Sequence, residues 1–174
     1  MARVSELGAF TFEHQTGEFD CGVESINRWL TDHALQAQQS GTARTFVFSQ
    51  DKRVIAFYAL STGSITQAQQ ASRLTKGVGK HPIPVVLISR FGVTLEAQGQ
   101  QLGRYLLQDA LLRILHAADE LGIRAVQVHA VNAEAESFYR RFGFDWIDKD
   151  RREAGLYLLL KDVARFAASA PKGN

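Results

Sequence analysis

A long helix with apolar residues around most of its circumference is the feature that most restricts the fold of this 174-residue chain. The pattern predicts a helix from about Gln101 to Leu121, and Gly122 is placed to end it. Its apolar residues form two rows at helical spacing, one of Leu102, Leu106, Ala110, Ile114 and Ala117 and one of Leu107, Leu111 and Leu115. Such a helix buries its apolar surface by packing against a sheet.

Short segments typical of β-strands stand on both sides of this helix in the sequence. They are Ala9 to Glu13, Thr45 to Phe48, Val54 to Ser61, Val85 to Val93, Ala125 to Ala130, Phe144 to Ile147 and Leu156 to Leu160. Further helices are predicted from Glu24 to Gln38, between Gln67 and Leu74, and from Ala133 to Arg141. Because strands and helices alternate in the second half, the sequence predicts a mixed sheet with at least one parallel pair and the α/β class.

Length and composition indicate one domain over residues 1–174, with a flexible tail from Ala168. The single cysteine, Cys21, cannot form an internal disulfide, and no signal sequence precedes the domain, so a cytoplasmic protein is expected. No apolar run approaches the roughly 20 residues of a spanning helix. A net charge of +2 does not by itself indicate a nucleic-acid partner.

The turn that enters the long helix is the segment with the clearest chemical meaning. It consists of Gln98, Gly99, Gln100, Gln101, Leu102 and Gly103 and follows the predicted strand at Val85 to Val93. A turn with glycines at the start of a helix presents unpaired backbone N–H groups and the positive end of the helix dipole. The segment is therefore a candidate anion site, although an ordinary surface turn remains an alternative.

Several other kinds of site are excluded or disfavoured by the spacing. The turn lacks a dinucleotide-binding glycine pattern, and the sequence before Gly79 and Lys80 lacks the first glycine of a P-loop. The five histidines have no cysteine or carboxylate partner at metal-ligand spacing, so no metal is expected. Cys21 is expected to be a structural thiol, and no G-x-S-x-G motif is present.

The order of these motifs resembles that of the GNAT N-acetyltransferases. The resemblance rests on the strand ending in SRFGV, the QGQQLG turn, the LLQDALLRIL helix, and Asn132 with Ala135 and FYRRFGF at 138–144. It implies a GNAT fold: a single mixed, mostly antiparallel sheet of six or seven strands flanked by helices, with a parallel strand pair at the coenzyme site. It also implies an acyltransferase that takes acetyl-CoA as its cosubstrate.

More narrowly, FDCG at 19–22, RTFVF, FYALSTGSI and PIPVVLISRFGV resemble the acetyltransferase toxins of bacterial toxin-antitoxin operons. That likeness covers a core from about residue 8 to residue 161 and implies acetylation of the α-amine of the amino acid on charged tRNA, which blocks translation. It also implies a homodimer and an antitoxin partner with a ribbon-helix-helix DNA-binding domain.

The resemblance assigns the coenzyme site and the catalytic acid by position in this sequence. The matching coenzyme-binding residues are Phe91, Gly92, Val93, Gln98, Gly99, Gln100, Gln101, Leu102, Gly103, Arg104, Asn132 and Tyr139. Tyr139 is also the expected acid, since a phenol can protonate the departing thiolate. From the residues alone, Tyr139 could instead be an aromatic packing residue, and Asn132 could simply cap the helix that begins at Ala133.

Gln101 departs from the family pattern, which has a glycine at this position. Glycine allows close approach to a pyrophosphate or a positive φ, so Gln101 either weakens coenzyme binding or is tolerated because its φ is negative. A coenzyme-binding module without catalysis is one alternative that this residue leaves open. Another is an N-acetyltransferase of a small amine or a protein.

The absence of a carboxylate from one predicted strand restricts which amine is expected to accept the acetyl group. Val85 to Val93 contains no carboxylate that could act as a general base, which favours an α-amine with a pKa near 8 over a lysine side chain. Basic residues that could contact tRNA phosphates are Arg73, Lys76, Lys80, Arg90, Arg140 and Arg141, with Lys149, Arg151 and Arg152 further along. Each of them could instead be an ordinary solvated side chain.

Overall fold

The computed structural model describes residues 5–66 and 70–169. Within these ranges the strands are β1 (Ser5–Ala9), β2 (Arg44–Gln50), β3 (Arg53–Ile65), β4 (Ile83–Val93), β5 (Ala125–Val128), β6 (Asp145–Trp146) and β7 (Leu156–Leu159). The helices are α1 (Glu24–Asp32), α2 (Ala34–Ser40), α3 (Ser72–Thr75), α4 (Leu102–Ala117), α5 (Ala133–Arg141) and α6 (Leu160–Ser169).

The seven strands form one mixed sheet in the order β1-β2-β3-β4-β5-β7-β6. β4 and β5 are parallel, with Val85 opposite Ala125 and Ile88 opposite Val128. The pairs β1·β2, β2·β3, β5·β7 and β6·β7 are antiparallel. The predicted α/β class and the mostly antiparallel sheet with one parallel pair are thereby confirmed.

The chain divides into two compact units, and β3, β4 and α4 contribute residues to both. The first unit comprises Met1–Ser61 and Ser89–Ala110, and the second comprises Thr62–Ile88 and Leu111–Asn174. The core of the first includes Phe19, Ile26, Leu30, Val47 and Phe57. The core of the second includes Ile65, Leu74, Ile83, Tyr157 and Leu159. A single domain over the whole chain stays a prediction.

Local patterns located most elements well. The hairpin between β2 and β3 closes on Asp51 and Lys52, whose φ values of +49° and +69° give the twist that a two-residue hairpin needs. The predicted helix from Ala133 to Arg141 matches α5 at both ends. Its start is fixed by Asn132, whose side chain accepts a hydrogen bond from the Ala135 N–H at 2.8 Å. In the strand that becomes β4, Pro84 lies at an exposed position next to the start.

The first strand, β1, lies earlier in the sequence than the predicted segment at Ala9 to Glu13. β1 ends at Ala9, and the predicted segment beyond it turns back, with the His14 N–H donating to the Thr11 carbonyl at 3.2 Å. The predicted helix from Glu24 to Gln38 is two helices, because His33 leaves the helical conformation at φ −124°. Ala34, the first residue after this break, lies in the same core as Leu30.

Other boundaries also differ from the prediction. α4 ends at Ala117 rather than Leu121, in a tightened turn where the Asp119 N–H donates to His116 and the Glu120 N–H to Ala117. β5 and β6 are shorter than predicted, and α6 was not predicted because no polar cap separates it from β7. Of the predicted helix at 67–74, residues 67–69 lie outside the described residues, 70 and 71 are not helical, and α3 begins at Ser72. Of the predicted tail, 170–174 likewise lie outside them.

Candidate active site

The last residues of β4 extend past its pairing with β5, which ends at Ile88 opposite Val128. Phe91, Gly92 and Val93, predicted to bind the pantetheine arm, belong to this extension. Gly92 is buried, and a Cβ there would stand 3.1 Å from Ile26 Cγ2, 3.2 Å from Phe19 Cζ and 3.3 Å from Cys21 Sγ. The glycine is therefore needed by packing within the first unit, whichever ligand its backbone edge binds.

Gln98 holds the turn that follows β4. Its Nε2 donates to the Val93 carbonyl at 2.9 Å and to the Cys21 carbonyl at 3.1 Å. Next to it, the Leu95 N–H donates to the Asp20 carbonyl at 2.8 Å and the Thr94 hydroxyl donates to the same oxygen at 3.2 Å. The side chain of Gln98 thus positions the turn instead of pointing to a ligand.

The segment from Phe19 to Gly22 is a partner that sequence reasoning did not connect with this turn. The Asp20 carboxylate accepts the Gly22 N–H and the Asn27 side-chain amide, each at 2.9 Å. These hydrogen bonds, that from Gly22 foremost, lower the pKa of Asp20. The FDCG motif, which is part of the family resemblance, therefore holds the turn after β4 through hydrogen bonds to its backbone carbonyls. Only the hydrogen-bond partners, which are 70 or more positions away in sequence, reveal this role.

The start of α4 has the geometry of an anion site. The first backbone hydrogen bond of the helix runs from the Tyr105 N–H to the Gln101 carbonyl at 3.2 Å. Gln101 is thus the N-cap residue, and the N–H groups of Leu102, Gly103 and Arg104 have no partner within the helix. With the positive end of the helix dipole, three such groups suit a phosphate.

Gln101 occupies the conformation that the family reserves for glycine. Its φ is +62°, in the left-handed region, and Gly99 two residues earlier has a φ of +78°. The alternative that Gln101 is tolerated through a negative φ is therefore wrong. A non-glycine residue in this region costs roughly 1–2 kcal/mol, so the turn keeps its shape against the preference of this side chain.

Tyr139 lies in the core of the second unit, near the end of α5. Its side chain is 5% exposed, with its ring centroid 5.3 Å from that of Phe138 and 5.5 Å from that of Phe144. Burial raises the pKa of the phenol well above its ordinary value. Tyr139 is therefore protonated at every physiological pH, as an acid must be before the reaction.

A family model described as an acetyltransferase (GNAT) domain matches residues 18–159, which include every candidate residue of this site. The chain belongs to the GNAT acetyltransferase family. It is an N-acetyltransferase, as the order of motifs predicted, and acetyl-CoA is confirmed as its cosubstrate.

This acetyltransferase is similar in sequence to a tRNA-acetylating toxin and in structure to KacT and AtaT. A tRNA-acetylating toxin of Mycobacterium tuberculosis is 40% identical over 145 residues, which are 83% of this chain and 86% of that protein. Among solved structures, a tyrosine-to-phenylalanine mutant of KacT has a TM-score of 0.87 at 21% identity, covering 93% of this chain and 98% of the other. AtaT complexed with acetyl-methionyl-tRNAfMet has a TM-score of 0.84 at 23% identity, covering 94% and 99%.

The basic residues predicted to contact tRNA differ in what they already bind. Arg73 pairs with Asp162 at 3.1 Å, and Arg90 lies over the Trp29 ring at 5.4 Å and donates to the Ser89 carbonyl. Lys76, Lys80, Arg140 and Arg141 are exposed. Arg124, which the sequence did not single out, donates to the carbonyls of Arg73, Leu74 and Lys76 and so holds the segment of Arg73 and Lys76 in place.

Among the residues that the structure describes, no three His, Cys, Asp or Glu side chains are grouped to hold a metal ion. In the same residues, no helix is long and apolar enough to cross a membrane.

Proposed function

We propose that this GNAT acetyltransferase is the toxin of a toxin-antitoxin pair and acetylates the α-amine of aminoacyl-tRNA, thereby blocking translation. The observation that carries the proposal is the 40% identity to the tRNA-acetylating toxin of M. tuberculosis, which extends over most of both chains. The fold of AtaT, solved with acetyl-methionyl-tRNAfMet, is also this fold.

Acetyl-CoA supplies the acetyl thioester and, after transfer, a thiol leaving group. The N–H groups of Leu102, Gly103 and Arg104 at the start of α4 would hold its diphosphate, in a turn that also contains Gly99, Gln100 and Gln101. The backbone of Phe91, Gly92 and Val93 would pair with the pantetheine arm as an added strand. Gln98 would contribute by positioning this turn through its bonds to Val93 and Cys21.

Tyr139 would donate the proton that the departing sulfur requires. Because burial raises the pKa of this phenol, it enters the reaction protonated and cannot act as a base. Asn132 already caps α5 through its Oδ1, so only its amide nitrogen would be directed to the pantetheine.

The acceptor amine would arrive largely deprotonated. An α-amine has a pKa near 8, lowered further by the ester to the tRNA, so a fraction is neutral at physiological pH without a general base. The tRNA backbone would contact Lys76, Lys80, Arg140 and Arg141, which are exposed, with Arg73 and Arg90 as further candidates.

The assembly that we propose follows the same family. AtaT has been solved bound to the C-terminus of its antitoxin AtaR, and we expect a cognate antitoxin of the ribbon-helix-helix type for this chain. A homodimer and a cytoplasmic location belong to the same expectation. They would be checked by size-exclusion chromatography with light scattering and by fractionation of cells that express the chain.

The deciding experiment is transfer of radiolabelled acetyl from acetyl-CoA to charged and uncharged tRNA, with the Tyr139→Phe variant assayed in parallel. We expect label on charged tRNA only, and a loss of most transfer in Tyr139→Phe with unchanged folding and coenzyme binding. Label on polyamines or peptides but not on charged tRNA would contradict the proposed acceptor. Wild-type turnover in Tyr139→Phe would remove Tyr139 as the acid.

A further inference from the structure

A cavity in the second unit is lined by side chains that, apart from Asn132, have no role in the proposed acetyl transfer. Its volume is about 400 Å³, and its walls include His129, Asn132, Glu136, Trp146, Arg152 and Glu153. We propose that this cavity binds an adenine base, stacked on Trp146 and Arg152 and hydrogen-bonded through its exocyclic amine to Glu136 or Glu153. The inference rests on the proposed function, because acetyl-CoA and the 3′ end of charged tRNA both carry an adenosine.

Trp146 and Arg152 are stacked on each other in the cavity wall, so a base would stack on the outer face of this pair. The guanidinium carbon of Arg152 lies 4.9 Å from the centroid of the Trp146 ring. Trp146 is half-buried, Arg152 is exposed, and both line the cavity. Unpaired bases stack on aromatic rings and on arginine planes, and each such contact is worth roughly 1–3 kcal/mol.

Glu136 and Glu153 supply acceptors without partners of their own. Within residues 5–66 and 70–169, neither carboxylate has a hydrogen bond or an ion pair. Glu136 is half-buried, where an unpaired carboxylate favours a ligand that donates. The exocyclic amine of adenine is such a donor. Guanine can also donate to a carboxylate, but adenine is the base that both proposed substrates contain.

The wall that bears Arg152 and Glu153 is held rigidly. Gly155 has a φ of +89°, and a Cβ there would stand 2.4 Å from the Val128 carbonyl oxygen, so only glycine fits. The Gln127 side-chain amide donates to the Ala154 carbonyl at 2.9 Å, and the Ile147 N–H donates to the Gly155 carbonyl at 3.0 Å. Together they fix the turn at Arg152–Ala154 against the end of β5 before any ligand arrives.

Individual basic side chains near the cavity could contact the phosphate of a nucleotide. Lys149 and Arg151 are exposed in the connection between β6 and β7, the same connection that carries Arg152. The same connection carries Asp148 and Asp150, so it has no net positive charge. The phosphate of a nucleotide stacked on Trp146 would contact Lys149 or Arg151 individually.

Direct binding of adenosine 5′-monophosphate to the full chain is the first test. Stacking on Trp146 should quench tryptophan fluorescence saturably, and Trp146→Leu should lower the affinity at least about tenfold. Arg152→Lys, which keeps the charge but removes the plane, should also weaken binding. Inosine 5′-monophosphate, which lacks the exocyclic amine, should bind less tightly than the adenosine nucleotide.

The carboxylates are tested against a matched control on the same helix. Glu136→Gln or Glu153→Gln should weaken binding of adenosine 5′-monophosphate about tenfold. Glu134→Gln should not, because Glu134 is exposed in the first turn of α5 and does not line the cavity. Equal affinity in Trp146→Leu and the wild type, or tighter binding of guanosine than of adenosine 5′-monophosphate, would overturn the proposal.

Transfer kinetics then identify which adenosine binds. A rise in KM for acetyl-CoA in the Trp146 and glutamate variants assigns the cavity to the coenzyme, and a rise in KM for charged tRNA assigns it to the tRNA end. Unchanged KM for both substrates would overturn the proposal. If charged tRNA is not acetylated at all, the proposed acceptor fails, while the nucleotide titration still tests the adenine site independently.

Discussion

Tyr139 illustrates how burial gives a side chain both its packing and its chemical state. The ring is in contact with Phe138 and Phe144, so the packing interpretation of its sequence position is correct. The same burial raises the pKa of the phenol, so the phenol stays protonated at physiological pH and is a weaker acid than an exposed tyrosine. The two interpretations that the sequence left open are therefore compatible in one residue.

A pH dependence follows from these ionisations. The rate should rise with pH as the acceptor α-amine loses its proton near pH 7 to 8, because only the neutral amine attacks. The raised pKa of Tyr139 means that its loss as an acid does not begin below about pH 10. Initial rates of acetyl transfer measured from pH 6 to 9.5 should therefore increase to a plateau without a falling limb. A decline below pH 9 would indicate that another group is the acid.

Gln101 should be a site where a substitution stabilises the protein. Gln101→Gly removes the cost of the +62° φ and should raise the free energy of unfolding by about 0.5–1 kcal/mol, which urea denaturation can measure. Gln100→Gly is the matched control, because Gln100 is not among the residues with positive φ and glycine there should destabilise. A loss of stability in Gln101→Gly would show that the side chain compensates for the strain.

The start of α4 is an element whose fold and function can be separated. Gly103 is the second residue of the helix, where glutamate is favoured by the helix dipole and by helix propensity. Gly103→Glu should therefore fold at least as stably as the wild type, yet weaken coenzyme A binding at least about tenfold through repulsion of its phosphates. Calorimetric titration with coenzyme A measures this.

The uncharged variant Gly103→Gln has nearly the same size and serves as the control. It should bind coenzyme A more tightly than Gly103→Glu, because it lacks the repelling charge. Equal losses of affinity in the two variants would mean that a side chain of this size obstructs the site, and that the electrostatic explanation is wrong.

At the scale of the whole molecule, the net charge is only +2, but exposed basic side chains occur in local groups. If these contact tRNA phosphates, KM for charged tRNA should rise steeply with salt concentration. Arg140→Gln and Lys80→Gln should each reduce the slope of log KM against log salt by about 0.7–0.9. Lys161→Gln, exposed at the start of α6 and outside the proposed contacts, should leave the slope unchanged.

The sequence by itself determined the features that are encoded locally. Helical spacing and the Asn132 cap located α5, apolar runs located β4, and the alternation of strands and helices predicted a parallel pair, which β4 and β5 form. The order of motifs identified the acetyltransferase family, because the turn, the helix and Tyr139 keep the family's spacing within short stretches of chain.

Only the tertiary structure decided the features that depend on distant partners. Gln98 acts through Cys21, and Gly92 is required by Phe19, Cys21 and Ile26, all of them more than 60 positions away in sequence. The φ of Gln101 and the cavity at Trp146 were likewise beyond prediction from spacing. The physical reason is that periodicity and capping are set by neighbours within a few residues. Which side chains meet across a fold depends on how sheets and helices close around a core.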